Sequence, residues 1–170
     1  MIQPAFIAVV LAVIACVFDL RSHRIPNSLT FTAAAAALVL QGMTGGVPGL
    51  VTSVIGLLVG LAVFFPFFAL GGLGAGDVKL LAALGAWLGA PTVLQVSFYS
   101  AIAGGVLGTI VALRAGYFRS ALGNLAGFVR FWKAVGLKPV EGFTLESEDR
   151  PRLAYAVPML AGLMVTLWMR

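Results

Sequence analysis

The sequence predicts an all-α, polytopic membrane protein with six transmembrane helices and an interfacial amphipathic helix between the fifth and sixth. Three observations predict it. Hydrophobic residues make up 61% of the 170, and a mean hydropathy of +1.05 belongs to chains that live in lipid. The apolar residues gather into six runs separated by short polar or glycine-rich breaks. The basic residues collect in alternate breaks, as the positive-inside rule requires of a multi-pass chain. With only 10% of residues charged, the pI near 10.0 comes from a few basic groups, so no nucleic-acid partner is expected. The chain, 1–170, reads as one integral-membrane domain with a cytoplasmic insert at about 115–151.

The first segment runs from about Ala5 to Leu20 and ends at Asp19-Leu20-Arg21-Ser22-His23-Arg24. Nothing basic precedes it and it is longer than a signal-peptide core, so it reads as a retained transmembrane helix. Cys16, the one cysteine, lies inside it as a small packing residue and excludes a disulfide within the chain. Ile25-Pro26-Asn27-Ser28 interrupts: Pro26 pushes Ile25 towards extended backbone, and Asn27 or Ser28 can cap a new helix. The second segment continues to about Met43, and Thr44-Gly45-Gly46-Val47-Pro48-Gly49 is an uncharged turn. The third spans about Leu50 to Leu70.

Gly71-Gly72-Leu73-Gly74-Ala75-Gly76-Asp77-Val78-Lys79 follows, where a continuing helix would lose roughly 1 kcal/mol at each glycine relative to alanine. The backbone is expected to break there. A short fourth helix covers about Asp77 to Ala90, stopped by Pro91; the fifth covers about Thr92 to Leu113 and the sixth about Leu153 to Met169. Gly56/Gly60, Gly85/Gly89 and Gly104/Gly108 have the four-residue spacing that lets membrane helices approach closely, and are assigned to packing.

Ten of the eleven lysines and arginines flank one side in this assignment, leaving Arg170 on the other. That side is then cytoplasmic and both termini are outside. In the insert, Arg119, Arg130 and Lys133 fall within a stripe roughly 60° wide at 100° per residue, opposite Phe118, Leu122, Leu125, Phe128 and Trp132. An amphipathic helix lying against lipid headgroups is expected there. Glu141, Glu146, Glu148 and Asp149 follow in a solvated polar loop.

Of the six acidic residues, the remaining two are Asp19 and Asp77, the only carboxylates touching apolar segments. A charge at mid-membrane costs about 2.5–3.5 kcal/mol on an insertion scale and marks a functional site by default. The two lie 58 residues apart in sequence but near the cytoplasmic ends of their helices, so they meet if the first and fourth helices are neighbours. A 14-residue helix rises about 21 Å against about 30 Å of hydrocarbon, which sets Asp77 about 9 Å below the surface unless the helix is displaced outward. Two close carboxyls share a proton. The ionised one can take a proton from water attacking a peptide carbonyl, and the protonated one can donate to the oxyanion and the leaving amine. From residue types and depth alone, hydrolysis, a proton or cation relay in a transporter, and ion pairing with Arg21, Arg24 or Lys79 all stay open.

A dinucleotide fingerprint read from Gly72 and Gly74 needs glycine at 77, where aspartate stands, and no strand precedes it. His23 is the one histidine and has no other soft ligand beside it, so it reads as an interfacial side chain and no metal is expected. Lys79 sits two residues from Asp77, off its helical face, and is expected to anchor or pair to another helix.

At Gly74-Ala75-Gly76-Asp77-Val78-Lys79 and Asp19-Leu20-Arg21-Ser22-His23-Arg24-Ile25-Pro26-Asn27 the chain resembles the type IV prepilin peptidases, membrane aspartyl proteases of the Gly-x-Gly-Asp class. The resemblance implies that Asp19 and Asp77 are the catalytic dyad, with Gly74, Gly76, Lys79, Pro26 and Asn27 as motif and backbone support. It implies no metal or organic cofactor. The implied substrate is a prepilin, cut at the cytoplasmic face of a prokaryotic, bacterial inner membrane between its short basic leader and its hydrophobic helix, usually after glycine. Longer members carry an N-terminal region with paired Cys-x-x-Cys motifs and methylate the new N-terminus. Without that region, the resemblance is to the compact peptidases of tight-adherence (Flp-type) pilus systems, with peptidase but no methyltransferase activity. Archaeal preflagellin peptidases share the dyad and are the sub-family alternative. Signal peptide peptidases and presenilins share the motif at Asp77 but are longer and cut within a membrane helix. The alternative from another class is a proton-coupled transporter using Asp19 and Asp77 as a relay.

Overall fold

The computed structural model describes residues 3–69, 72–114, 116 and 154–169, and what it describes is all-helical. Five helices follow in order: α1 (Pro4–Ser22), α2 (Asn27–Ala69), α3 (Ala75–Leu88), α4 (Ala90–Arg114) and α5 (Ala156–Trp168). Three of them, α1, α2 and α4, are long and apolar enough to cross a membrane. The amphipathic helix and acidic loop expected within 115–151 lie outside the described residues, apart from Gly116.

α1 opens on Pro4, whose missing N–H costs nothing in a first turn, and closes at His23 in the left-handed region (φ 49°) with its N–H on the Asp19 carbonyl. The uncharged turn expected over Thr44–Gly49 is narrower than the sequence suggests: helical hydrogen bonding runs through α2 and only Gly46 departs from helical angles. Its φ of 61° and ψ of −150° lie in territory essentially reserved for glycine. The chain reverses there. Residues 27–45 run beside α3 with Asn27 near Lys79 and Gln41 near Trp87, whereas 47–69 return antiparallel with Ser53 at Ala86 and Gly60 at Leu81.

Glycine makes this packing possible. A Cβ built on Gly56 or on Gly85 would overlap the other residue's carbonyl oxygen, so the two backbones touch. Gly60 is similar, its Cβ position falling 2.5 Å from the Leu81 carbonyl oxygen. The packing role expected of Gly56, Gly60 and Gly85 is what the structure has. Gly89 also packs, its Cα lying 2.9 Å from where a Gly56 Cβ would sit, and at φ 79° it ends α3, so the stop assigned to Pro91 belongs to Gly89, and Pro91 sits in the first turn of α4.

α3 is the central helix, buried from Asp77 almost to its end. Leu80, Leu81 and Leu84 pack with Val93 and Val96 of α4 and Met159 and Leu163 of α5, all essentially without exposure. The outer helices reverse the soluble pattern and present Phe6, Leu58, Phe98 and Ile102 outward, as lipid-facing surfaces do. α3 is short, but its shortfall lies away from Asp77. From the Gly56–Gly85 contact, α3 runs about 5 Å further to Leu88, while α2 runs about 15 Å further to Gly46. At its other end α3 begins beside the start of α2, where Lys79 near its start meets Asn27.

Candidate active site

The site forms where three chain breaks meet at one end of the bundle. A cleft of about 470 Å³ lies between the α1–α2 connection and the start of α3. Asp19 and Asp77 both line it, with His23, Arg24, Pro26 and Asn27 on one rim and Gly74, Gly76 and Lys79 on the other. Every residue singled out from the sequence for this site reaches the same cleft. Both carboxyls are nearly buried, Asp19 at 7% and Asp77 at 9% exposure.

Each carboxyl is held by a backbone amide through one oxygen. Asp77 is the third residue of α3, and its Oδ2 accepts from the Gly74 N–H at 3.2 Å, the reciprocal bond by which a helix start is closed. A side chain at Gly74 would put its Cβ 3.1 Å from that same Oδ2, so glycine keeps the approach open. Asp19 sits on the last full turn of α1, and its Oδ2 accepts from the Ala156 N–H at 3.1 Å. One oxygen of each acid is thus fixed, and among the described residues the other has no hydrogen-bond partner and is open to water, proton or substrate.

The connection of α1 to α2 closes over the glycine motif. Ile25 is buried against Gly76, where a Cβ would come 3.2 Å from the Ile25 Cβ. Lys79 Nζ donates to Asn27 Oδ1 at 2.8 Å and lies 5.5 Å from the Phe31 ring centroid, joining the starts of α2 and α3. Among the described residues no ion pair joins Asp19 or Asp77 to Arg21, Arg24 or Lys79. Structural ion pairing loses its support. Likewise, among the described residues no group of three or more metal-ligating side chains occurs. His23 lines the cleft from the left-handed position that ends α1, off the helical face it would share with Asp19 on a longer helix.

The contribution of Ala156, and of Tyr155 before it, was not legible in the sequence. Tyr155 and Ala156 open an ordinary apolar run, and a main-chain donor leaves no mark in residue types.

Comparison with known proteins agrees with the motif reading. Residues 6–109 match the family described as the type IV leader peptidase family, a span that includes both aspartates. A prepilin leader peptidase/N-methyltransferase of Burkholderia pseudomallei (strain 1026b) is 36% identical over 103 residues, covering 56% of this chain and 33% of the relative. The protein of the same description from Xanthomonas campestris pv. campestris is 35% identical over 103 residues, covering 54% of this chain and 34% of the relative. The chain spans about a third of the length of these curated relatives. No solved structure gives a significant match. A match over more than half of the chain, on the residues that build the cleft, makes this protein a member of the type IV leader peptidase family.

Proposed function

We propose that this chain is a membrane aspartyl endopeptidase that removes the short basic leader from type IV prepilins, with Asp19 and Asp77 as its dyad. One observation carries the reading: two acids 58 residues apart share one cleft, each with a single oxygen tied to a backbone amide. Buried carboxyls with no ion pair among the described residues are costly to keep, and an acid–base pair is the use that matches their geometry. The relatives are described as prepilin leader peptidases, which supports a prepilin as the substrate.

In the proposed reaction one carboxyl is ionised and the other protonated. The ionised member removes a proton from water as its oxygen bonds to the scissile carbonyl carbon. The protonated member donates to the carbonyl oxygen, giving a neutral tetrahedral diol. Collapse breaks the C–N bond, the proton passes to the departing amine, and the leader leaves as a carboxylic acid. No metal or organic cofactor takes part. The two halves of α2 each cross the membrane in this proposal, as do the short α3 and α5, giving six spans. The basic connections then put the cleft at the cytoplasmic face of a bacterial inner membrane and both termini outside.

Asp19→Asn and Asp77→Asn test the dyad. Each should slow cleavage of a co-expressed prepilin by about a thousand-fold or more while leaving the protein in the membrane. Mass spectrometry of the pilin reads the result. Cleavage near the wild-type rate by either variant removes that acid from the reaction. Substrate flux in proteoliposomes without any peptide product favours the relay instead.

A further inference from the structure

The start of α5 lies outside the segment matched to the family, yet it touches Asp19. A first-turn N–H has no acceptor within its own helix, and the buried Ala156 N–H finds its partner in Asp19 Oδ2, 137 residues away. What fixes that amide is the residue before it. The Tyr155 ring meets Phe64 of α2 edge-on at 5.6 Å between centroids. Gly104 of α4 makes room for it: a Cβ there would lie 2.8 Å from Tyr155 Cε2. The hydroxyl donates to the Ser100 carbonyl, also of α4, at 3.4 Å. The ring is therefore seated by two elements, and it sets the course of the chain into Ala156.

We propose that Tyr155 is a positioning residue for Asp19, acting through the Ala156 amide. An aspartate carboxyl turns easily about its last bond, since that torsion has no sharp staggered wells. A donor held in place by a packed ring stops that turning and keeps the free oxygen towards the cleft, where a small misplacement is expensive in rate. The inference rests on the aspartyl peptidase reading above and adds to it a part that comes from the last helix.

The test uses the full chain in detergent micelles and a synthetic peptide with a basic leader, a glycine before the scissile bond and an apolar segment. Tyr155→Phe keeps the seated ring and should hold kcat within about two-fold, whereas Tyr155→Ala should lower kcat about ten-fold with KM little changed. Wild-type kcat in Tyr155→Ala overturns the proposal. So does a loss confined to KM, which would mean that the ring touches substrate, and so does a Tyr155→Phe variant as slow as Tyr155→Ala. Should Tyr155→Ala fail to fold, Gly104→Ala decides: the new methyl displaces the ring and must lower kcat in the same way, and wild-type kcat there overturns the proposal. Asp19→Asn is assayed beside them. Its inactivity with a fully active Tyr155→Ala refutes the positioning role alone, whereas an active Asp19→Asn removes the dyad reading itself.

Discussion

Lys79 ties two chain elements together at the edge of the cleft. Half-buried, it gives its ammonium to Asn27 Oδ1 and to the Phe31 ring rather than to either carboxylate. Replacing it with methionine should therefore cost little stability, about 1 kcal/mol or less, because Asn27 is exposed and water can replace the bond. The kinetic loss should be larger, since the connection that covers Gly76 would no longer be tied to α3. Asn27→Ala should give the same fall in kcat, and the double variant no further fall, a non-additivity that a double-mutant cycle of turnover rates measures. Equal single effects that add would show two separate roles. At this scale the sequence was informative wherever a residue type is rare for its setting. A carboxylate or a lysine in an apolar chain calls for a reason, and the lysine's expected partner on another helix is present. The main-chain donors at Gly74 and Ala156 carry no such signal.

The elements are joined by glycines that act in two different ways. Gly56 and Gly85 bring backbones into contact, so Gly85→Leu should destabilise the bundle by about 3 kcal/mol or more, read as a fall in thermal unfolding midpoint in detergent. Gly46 has open space about it but an angle that other residues avoid, so Gly46→Ala should cost about 1–3 kcal/mol through strain alone. If both behave alike on replacement by alanine, with Gly46 tolerant, the reversal at Gly46 is not set by its backbone. Spacing predicted the first kind, because four-residue intervals place glycines on one helical face. It left out the second part that Gly89 plays: a glycine that packs and one that also ends a helix look alike in sequence. Gly89's left-handed φ follows from the short passage into α4, a tertiary demand. The uncharged turn expected at Thr44–Gly49 was also too broad, since one residue of the right angle is enough to reverse two helices that share a partner.

For the molecule as a whole, the charge asymmetry makes a topological prediction that a single-cysteine protein tests directly. Cys16 is buried and joins no partner in a disulfide, so Cys16→Ala should leave a functional background. A cysteine placed at Ser22 should then be shielded from a membrane-impermeant thiol reagent added to intact spheroplasts, and one at Thr44 should be labelled. The reverse pattern would invert the orientation, and labelling of both would contradict the reversal at Gly46 as a full crossing. Beneath the cleft the described bundle is close-packed. Leu80, Leu81, Leu84, Met159 and Leu163 fill its centre without measurable exposure, and Gly56 meets Gly85 backbone to backbone. Among the described residues that packing leaves no continuous channel, so in the proposed reaction protons reach the acid pair and leave it from the cleft side. A peptidase of the proposed kind would then work in an energised membrane and leave its voltage intact.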